Sequence, residues 1–245
     1  MIREYLANVN HSAWIESPNV VAGKPITRHQ RLIEDGEDGP EASISTRTNG
    51  YAPPHLHPAA QFQLVVSGTS RYPTYEIPAV GVHYTDHCVP YGPFDTSPDY
   101  CHFVLHTKPG SQVLMTNKSV RGKTNRTGRD IIAADKDFPW TPFPGHPNAR
   151  RKLLIDIPSG VRAELVECSP GMEMATGSAP HGRYEIVLKG LVSVSGRTLE
   201  QHGLRFVIGE ESPKPLLVGP QGATVVLLEY DQDADRTYIK EFSLS

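Results

Sequence analysis

The chain has 245 residues, enough for one large β domain or two smaller ones, and either can bury a substantial core. Its 24 Lys and Arg against 27 Asp and Glu give a formal net charge of −3. Such a balance creates no field that would gather a nucleic-acid backbone, which argues against nucleic acid as a partner.

The cysteines and the N-terminus indicate the cellular compartment. Cys88, Cys101 and Cys168 are widely spaced and form no C-x-x-C pair, which predicts reduced core thiols rather than zinc or disulfide chemistry. Residues 1–18 carry charges and lack an apolar segment of signal-peptide length, and no run of about 18 apolar residues occurs elsewhere. We therefore expect a soluble, cytoplasmic protein without membrane contact.

Proline and glycine, with 22 and 21 residues, are spread along the chain and divide it into short segments rich in Val, Ile, Tyr and Leu. This spacing is typical of an all-β sandwich or barrel. The strands predicted in chain order are QFQLVVSG (61–68), VGVHYTDHCV (80–89), YCHFVLHT (100–107), VRAELVECS (161–169), RYEIVLKGLVSVSG (183–196) and ATVVLLEYD (223–231). Helical periodicity is scarce, and only residues 128–138 favour one or two helical turns.

A weak internal repeat flanks the middle of the chain. FQLVVSG (62–68) and YEIVLKG (184–190) superimpose when Gly68 is set against Gly190. Between them, residues 122–148 combine charge, Gly and Pro with little apolar alternation, which is typical of a surface connector. We therefore predict a duplicated β unit, with an N-terminal domain at 1–120, a connector at 121–150 and a C-terminal domain at 151–245.

The segment PPHLHPAAQFQLVVSG (53–68) contains a candidate metal site. Side chains alternate along a strand, so an extended 55–65 would bring His55, His57, Gln61, Gln63 and Val65 to one face. Two imidazoles two residues apart can converge on a first-row metal at about 2.0–2.2 Å, and Gln61 can add an amide oxygen. The alternative is a pair of exposed histidines that follow a Pro-Pro turn at an edge strand.

The pattern H-x-H-x3-Q-x6-G, formed by His55, His57, Gln61 and Gly68, resembles the first motif of the cupin superfamily. In that motif the position of Gln61 is more often Glu. VPYGPF (89–94) resembles the Pro-x-Gly turn that opens the second cupin motif. The resemblance therefore extends to both motifs of a first barrel.

The second half of the chain is similar to the same fold from about Glu164 to Tyr230. The resemblance implies an all-β bicupin, which consists of two tandem cupin-type double-stranded β-helix (jelly-roll) barrels. It also implies a homodimer, because a partner subunit can cover the sheet edges that such barrels leave open.

The third metal ligand is ambiguous in this sequence. The second cupin motif ordinarily supplies a histidine three residues after its glycine, and here that position is Asp95. Asp95 can replace it, or the loop PFDTSPDY (93–100) is an insertion and His102 completes the set. If residues 80–89 form a strand, the alternation of its side chains allows His83 and His87 to face inward as well.

Gln61 changes the chemistry that this resemblance implies. A neutral amide leaves the metal with one more positive charge than a carboxylate would, which strengthens its Lewis acidity, and it removes a possible general base. Catalysis then needs a base from elsewhere, for which Asp95, Tyr84, His83 and a metal-bound hydroxide are the candidates.

The second barrel is predicted to lack the metal site. When Gly190 is aligned with Gly68, Ala179 and Arg183 occupy the positions of His57 and Gln61. His181 and Glu185 have inward parity, but one His and one Glu make half a site. A structural His181–Glu185 or Arg183–Glu185 pair at the barrel mouth is the simpler interpretation.

The resemblance implies a metal-dependent enzyme that acts on a small oxygenated organic substrate, with Fe(II) or Mn(II) favoured and Zn or Ni also compatible. Oxygenation by a dioxygenase is favoured, with isomerase or lyase chemistry next, because open coordination positions suit O2 and a chelating substrate equally. Phe62, Tyr84, Phe103 and Leu105 are expected to shape the pocket. The alternative is a non-catalytic bicupin that binds a small ligand or has a structural role.

Overall fold

The structure is a computed structural model that describes residues 1–10, 13–17, 27–36, 38–48, 50–110 and 112–236. The strands, numbered in chain order, are β1 (Arg3–Ala7), β2 (Ile15–Ser17), β3 (Thr27–Glu34), β4 (Glu41–Arg47), β5 (Tyr51–Ala52), β6 (His55–Leu56), β7 (Gln61–Ser67), β8 (Thr69–Arg71), β9 (Glu76–Pro78), β10 (Gly81–Thr85), β11 (Phe94–Thr96), β12 (Tyr100–His106), β13 (Val113–Leu114), β14 (Asp130–Ala134), β15 (Thr141–Phe143), β16 (His146–Asp156), β17 (Arg162–Cys168), β18 (Glu173–Met174), β19 (Ala179–Val194), β20 (Arg197–Leu199), β21 (Leu204–Gly209) and β22 (Leu216–Glu229). A short helix, α1 (Gln232–Arg236), follows β22, and 3-10 turns lie at Lys118–Val120 and Asp135–Asp137. None of the helices in these ranges has the length and apolar character needed to cross a membrane.

The chain forms two compact units, and their bounds differ from the predicted domains. The N-terminal barrel contains residues 10–134 with the described residues from 233 onward, and the C-terminal barrel contains residues 1–9 and 135–232. The predicted connector, 121–150, instead supplies β14 to the first unit and β15 and part of β16 to the second. Its strands are short and flanked by Gly, Pro and charge, so their pairing is not visible as apolar alternation. β1 joins the second unit because it pairs with β21, about two hundred residues later in the chain.

The N-terminal barrel contains three sheets that place the candidate site. The largest has the order β14-β10-β7-β12-β4-β3-β2, and the smaller ones have the orders β5-β11-β8-β9 and β13-β6. All the pairings are antiparallel, and β7 lies between β10 and β12. The helical prediction for 128–138 was wrong for Asp130–Ala134, which is a strand that pairs with β10, and a single 3-10 turn is present only at Asp135–Asp137.

The two faces of the largest sheet differ sharply in polarity. Residues that are paired directly across antiparallel strands share a face, so the register assigns each side chain to one side. We define the inner face as the one that contains Gln61, Gln63 and Val65 of β7, His83 and Thr85 of β10, His102, Val104 and His106 of β12, and Ser43, Ser45 and Arg47 of β4. The opposite face carries Ile44, Phe62, Leu64, Tyr84, Phe103 and Leu105, all fully buried.

The C-terminal barrel contains one sheet with the order β1-β21-β19-β22-β17-β16-β15, to which β18 and β20 add short pairs. Val166, Val187, Val192, Leu216 and Val225 are among the members of its buried apolar core. The six strands predicted from the sequence correspond to β7, β10, β12, β17, β19 and β22. The all-β prediction is therefore confirmed.

Gly68→Ala is expected to lower the free energy of unfolding by at least about 2 kcal/mol. Gly68 has φ +69°, and an added Cβ would lie 2.4 Å from Ser97 Oγ and 2.8 Å from Tyr100 Cα. Gly36→Ala is the matched control, since Gly36 has φ +64° but an added Cβ meets no described atom within 4 Å, and about 1 kcal/mol is expected there. Equal losses in urea denaturation of the two variants would contradict the role assigned to the close approach at Gly68.

Candidate functional site

His55 and His57 lie in the interior of the N-terminal barrel, although the segment between them and Gln61 is not one continuous strand. β6 ends at Leu56, and β7 begins at Gln61 after a turn. The two imidazoles are buried and their ring centroids are 5.5 Å apart. The alternative of two solvent-exposed histidines is therefore wrong.

Backbone carbonyls set the tautomer of both rings. Nδ1 of His55 lies 2.7 Å from the carbonyl oxygen of Pro53, and Nδ1 of His57 contacts that of Gly110. A carbonyl oxygen only accepts, so Nδ1 carries the proton in each ring and Nε2 keeps its lone pair. Histidines that bind metals are ordinarily oriented in this way by a hydrogen bond from their other nitrogen.

Gln61 has a side-chain oxygen with no partner. The residue is fully buried, and its Nε2 donates to the hydroxyl oxygen of Tyr91 at 2.8 Å and to Oγ1 of Thr85 at 3.1 Å. These two bonds hold the amide in one orientation. Oε1 is buried and accepts no hydrogen bond, and a buried polar atom of this kind is uncommon unless a ligand completes it.

β12 contributes two more imidazoles to the inner face. His102 is paired with Val65, and its ring centroid lies 4.8 Å from that of Tyr100; its Nδ1 is buried without a partner. His106 is paired with Gln61, and its ring centroid lies 5.2 Å from that of His57. The sequence analysis missed His106, although its parity with His102 in YCHFVLHT was a signal that could have found it.

Burial keeps these four imidazoles neutral. It lowers the pKa of His55, His57 and His102 to about 3 and that of His106 to about 4. The charge of a neighbouring histidine adds to the effect at His55 and His57, and the charge of Arg47 adds to it at His102. Neutral imidazoles are the form that binds metal.

In the part of the chain that the structure describes, no three His, Cys, Asp or Glu side chains are grouped so that they could hold a metal ion. Oε1 of Gln61 therefore has to be counted among the ligands if a metal binds here. Two imidazole nitrogens prepared by their hydrogen bonds and one unpartnered amide oxygen fit such an ion.

Two of the three catalytic candidates lie away from these imidazoles. Asp95 is exposed, and the adjacent Phe94 takes the buried position, with its ring centroid 6.3 Å from that of His55. Tyr84 lies on the face opposite Gln61, where its hydroxyl donates to Asp86 at 2.9 Å. The predictions for Asp95 and Tyr84 were wrong, because the strand register turns both side chains the other way.

The predicted pocket residues Phe62, Phe103 and Leu105 also lie on the face opposite Gln61. They belong to the apolar side of the sheet and not to the wall of the site. The walls near His55 are formed instead by Tyr91, with ring centroids 4.3 Å apart, and by Phe94.

His83 is the catalytic candidate that lies on the inner face. Its Nε2 lies 2.7 Å from Oδ1 of Asp130, and its Nδ1 lies 3.5 Å from the hydroxyl oxygen of Tyr72. A carboxylate that orients one ring nitrogen leaves the other available to accept or donate a proton.

The sequence analysis also missed Arg47, the last residue of β4. It is paired with Tyr100, and its guanidinium carbon lies 5.9 Å from the ring centroid of Phe94. Its Nε is buried and has no hydrogen-bond partner. No spacing signal joins Arg47 to the motif at 55–61, because only the pairing of β4 with β12 brings it to the inner face.

In the C-terminal barrel, ion pairs occupy the position of the metal ligands. Arg183, which corresponds to Gln61, is buried and donates through Nε to Oε1 of Glu185 at 3.2 Å. Glu185 also accepts from Nε of Arg205 at 2.7 Å. The predicted Arg183–Glu185 pair is thus present. A cavity of about 280 Å³ beside it is lined by further charged residues, which include Arg151, Arg162, Glu164 and Glu229.

Comparison of sequences finds no matching family model and no matching curated protein. Solved structures do match. A candidate dioxygenase from Nostoc punctiforme is 13% identical with a TM-score of 0.64, and the match covers 95% of this chain and 80% of that one. HEPD from Streptomyces albus, solved with 2-hydroxyethylphosphonate and Fe(II), is 10% identical with a TM-score of 0.61, over 94% and 76% of the two chains.

Oxalate decarboxylase from Lactobacillus farciminis, solved as a formate complex, is 13% identical with a TM-score of 0.61, and the match covers 93% of this chain and 86% of that one. At such low identity these matches show the fold and not the activity. The chain therefore shares the fold of these proteins, with two cupin-type jelly-roll barrels in tandem.

Proposed function

We propose that the N-terminal barrel binds a divalent metal ion through Nε2 of His55, Nε2 of His57 and Oε1 of Gln61, and that it acts as a metal-dependent enzyme on a small oxygenated organic substrate. One observation carries this proposal. An unpartnered amide oxygen lies in the same barrel interior as two imidazoles whose Nδ1 atoms are held by carbonyl oxygens. Fe(II) or Mn(II) suits this set, and oxygenation is the favoured reaction.

The bound ion, Gln61 and the buried aromatic side chains have separate roles in this proposal. The bound ion would supply Lewis acidity and open positions for oxygen or for a chelating substrate. Gln61 adds no negative charge, and its amide is kept in place by Tyr91 and Thr85. The buried aromatic side chains exclude water, which strengthens electrostatic interactions inside the site.

His83 is the proposed general base. Asp130 accepts the proton of Nε2, so Nδ1 presents a lone pair beside the hydroxyl of Tyr72. A proton taken from the substrate would rest on Nδ1, and Asp130 would stabilise the imidazolium that forms.

A second candidate is a non-catalytic bicupin that binds a small ligand. Phe94 favours it, because an apolar ring occupies the buried position next to Asp95, where the second cupin motif would supply its histidine. This candidate differs from the first in requiring no metal.

Metal analysis of the purified protein separates the two candidates. We expect close to one equivalent of Fe or Mn in the native protein or after anaerobic reconstitution, and its loss from His55→Ala/His57→Ala, measured by plasma mass spectrometry. His146→Ala/His181→Ala, which removes two histidines of the C-terminal barrel, is the matched control and should retain the metal.

Gln61→Glu keeps the metal proposal testable if the double variant fails to fold. A carboxylate in place of the amide should tighten metal binding by about tenfold or more, because it adds a charge–charge attraction in a buried site. Stoichiometric metal that survives loss of both histidines, or a native protein that binds no metal under reconstitution, would refute the proposal.

A further inference from the structure

Arg47 brings a positive charge to the inner face of the N-terminal barrel without a counterion. Within the described ranges no Asp or Glu forms an ion pair with it, and its buried Nε has no hydrogen-bond acceptor. The side chain is partly buried and stacks near Phe94. A buried charge is normally paired, since removing it from water is costly.

The groups around this guanidinium are neutral. The side chains that interact electrostatically with it are the phenols of Tyr72, Tyr91 and Tyr100, a group that is ordinarily uncharged at neutral pH. Among the described residues, no acidic side chain offsets the charge of Arg47 here.

Hydrogen-bond donors also exceed acceptors here. The hydroxyl oxygen of Tyr91 accepts from Nε2 of Gln61 at 2.8 Å and from Nε2 of Gln63 at 2.6 Å, so its own proton lacks an acceptor. Turning over the amide of Gln61 or of Gln63 would give Tyr91 an acceptor but would place an Nε2 donor where the amide oxygen now lies, so the number of donors in this cluster is unchanged.

We propose that Arg47 binds the carboxylate group of a small organic acid, with the hydroxyl proton of Tyr91 as a second donor. A carboxylate is planar and offers two oxygens, which matches the edge of a guanidinium that presents Nε and one Nη in parallel. An unpartnered Nε indicates this side-on geometry. The neutral aromatic surroundings favour an organic anion over a strongly hydrated inorganic one.

This inference names the substrate class of the proposed enzyme, and in that respect it rests on the proposed function. The anion site itself does not depend on the metal, because Arg47 and Tyr91 are not among the proposed ligands. The two proposals can therefore fail separately, provided that anion binding is measured on protein freed of metal.

The test uses protein treated with EDTA, and the probes are benzoate and acetate, with benzamide and acetamide as uncharged counterparts at matched ionic strength. We expect at least one of the two carboxylates to raise Tm and to bind by calorimetry, while the amides do not. Arg47→Met should weaken binding by at least about tenfold, since charged hydrogen bonds are lost. Arg31→Met, at an exposed arginine of β3, should bind as the wild type does.

Two further variants and the Tm of ligand-free Arg47→Met complete the test. His55→Ala/His57→Ala should retain carboxylate binding even if it loses metal. Arg47→Lys should fold and bind more weakly than the wild type, because an ammonium cannot form two parallel bonds to one carboxylate. Without ligand, Arg47→Met should have the same Tm as the wild type or a higher one, because it removes an unpaired buried charge.

Several results would overturn the inference. One is that neither carboxylate binds to the wild type. Another is that the carboxylates raise the Tm of the wild type and of Arg47→Met equally. A third is that the amides raise the Tm as much as the acids do. A large drop in the Tm of ligand-free Arg47→Met would indicate a structural arginine instead. Binding of inorganic phosphate that depends on Arg47, without binding of the carboxylates, would refute the assigned ligand class.

Discussion

Metal-free protein is expected to lose the N-terminal barrel as the pH falls from about 6.5 towards 4, because four buried imidazoles must be neutral in the folded state. The folded-state pKa values of about 3 to 4 lie below the unfolded value of about 6.5. The unfolded chain therefore binds more protons in this window, so stability is fully present above pH 6.5 and is lost as the pH decreases.

The free energy of unfolding is expected to fall steeply as the pH decreases through this window. Each such histidine contributes about 1.4 kcal/mol per pH unit, so four give up to about 5 kcal/mol per pH unit in the middle of the window. Hydrogen exchange of the amides in β7 and β12 reports on this barrel alone. His102→Gln should reduce the slope by about one histidine's share.

A bound metal should move this acid transition to lower pH, because protons and metal compete for the same imidazole nitrogens. His146→Gln, which changes a histidine of the C-terminal barrel, is the control and should leave the slope measured in β7 and β12 unchanged. Stability that stays flat between pH 6.5 and 4 would contradict the neutral, buried state of these rings.

Glu185→Gln is expected to destabilise the C-terminal barrel by about 3–5 kcal/mol. The carboxylate is buried and accepts from Arg183, Arg205 and Oγ1 of Thr176, the last at 2.7 Å. Arg205 is fully buried, and its other partners include Glu4 at 3.1 Å. Removing the charge of Glu185 leaves two buried guanidinium groups without adequate compensation.

Glu167→Gln is the matched control for this prediction. Glu167 pairs with Arg150 at 2.9 Å, but both side chains are about half exposed, and breaking such a pair costs less than about 1 kcal/mol. Urea denaturation that is followed through amides of β19 and β21 would measure both variants. A loss at Glu185 no larger than that at Glu167 would show that the network contributes little.

The two barrels therefore use their polar interiors differently. In the C-terminal barrel Arg183 and Arg205 form ion pairs with Glu185, and Glu229 and Glu4 add further acidic partners, which suits a structural role. In the N-terminal barrel, among the described residues, Arg47 has no acidic partner and Oε1 of Gln61 accepts no hydrogen bond. The proposed carboxylate site uses the unpaired charge of Arg47, and the proposed metal site uses the unpartnered oxygen of Gln61.

Local pattern in the sequence was sufficient to predict the strand content and the core of the site. Alternating apolar residues within 61–68 and 183–196 predicted β7 and β19, because the two-residue period of a strand is a local property. The spacing of His55, His57 and Gln61 marked a segment whose three side chains are buried in the N-terminal barrel. The repeat around Gly68 and Gly190 indicated that the unit is duplicated, and the left-handed φ angles of both glycines agree with it.

Only the tertiary structure decided which further residues face the site. A shift of one residue in strand register exchanges the two faces of a sheet, and that register is set by pairing between distant segments. This is why Phe94 and not Asp95 lies inside, and why Tyr84 lies on the opposite face. Arg47 reaches the inner face through the pairing of β4 with β12, and no local sequence pattern encodes that pairing.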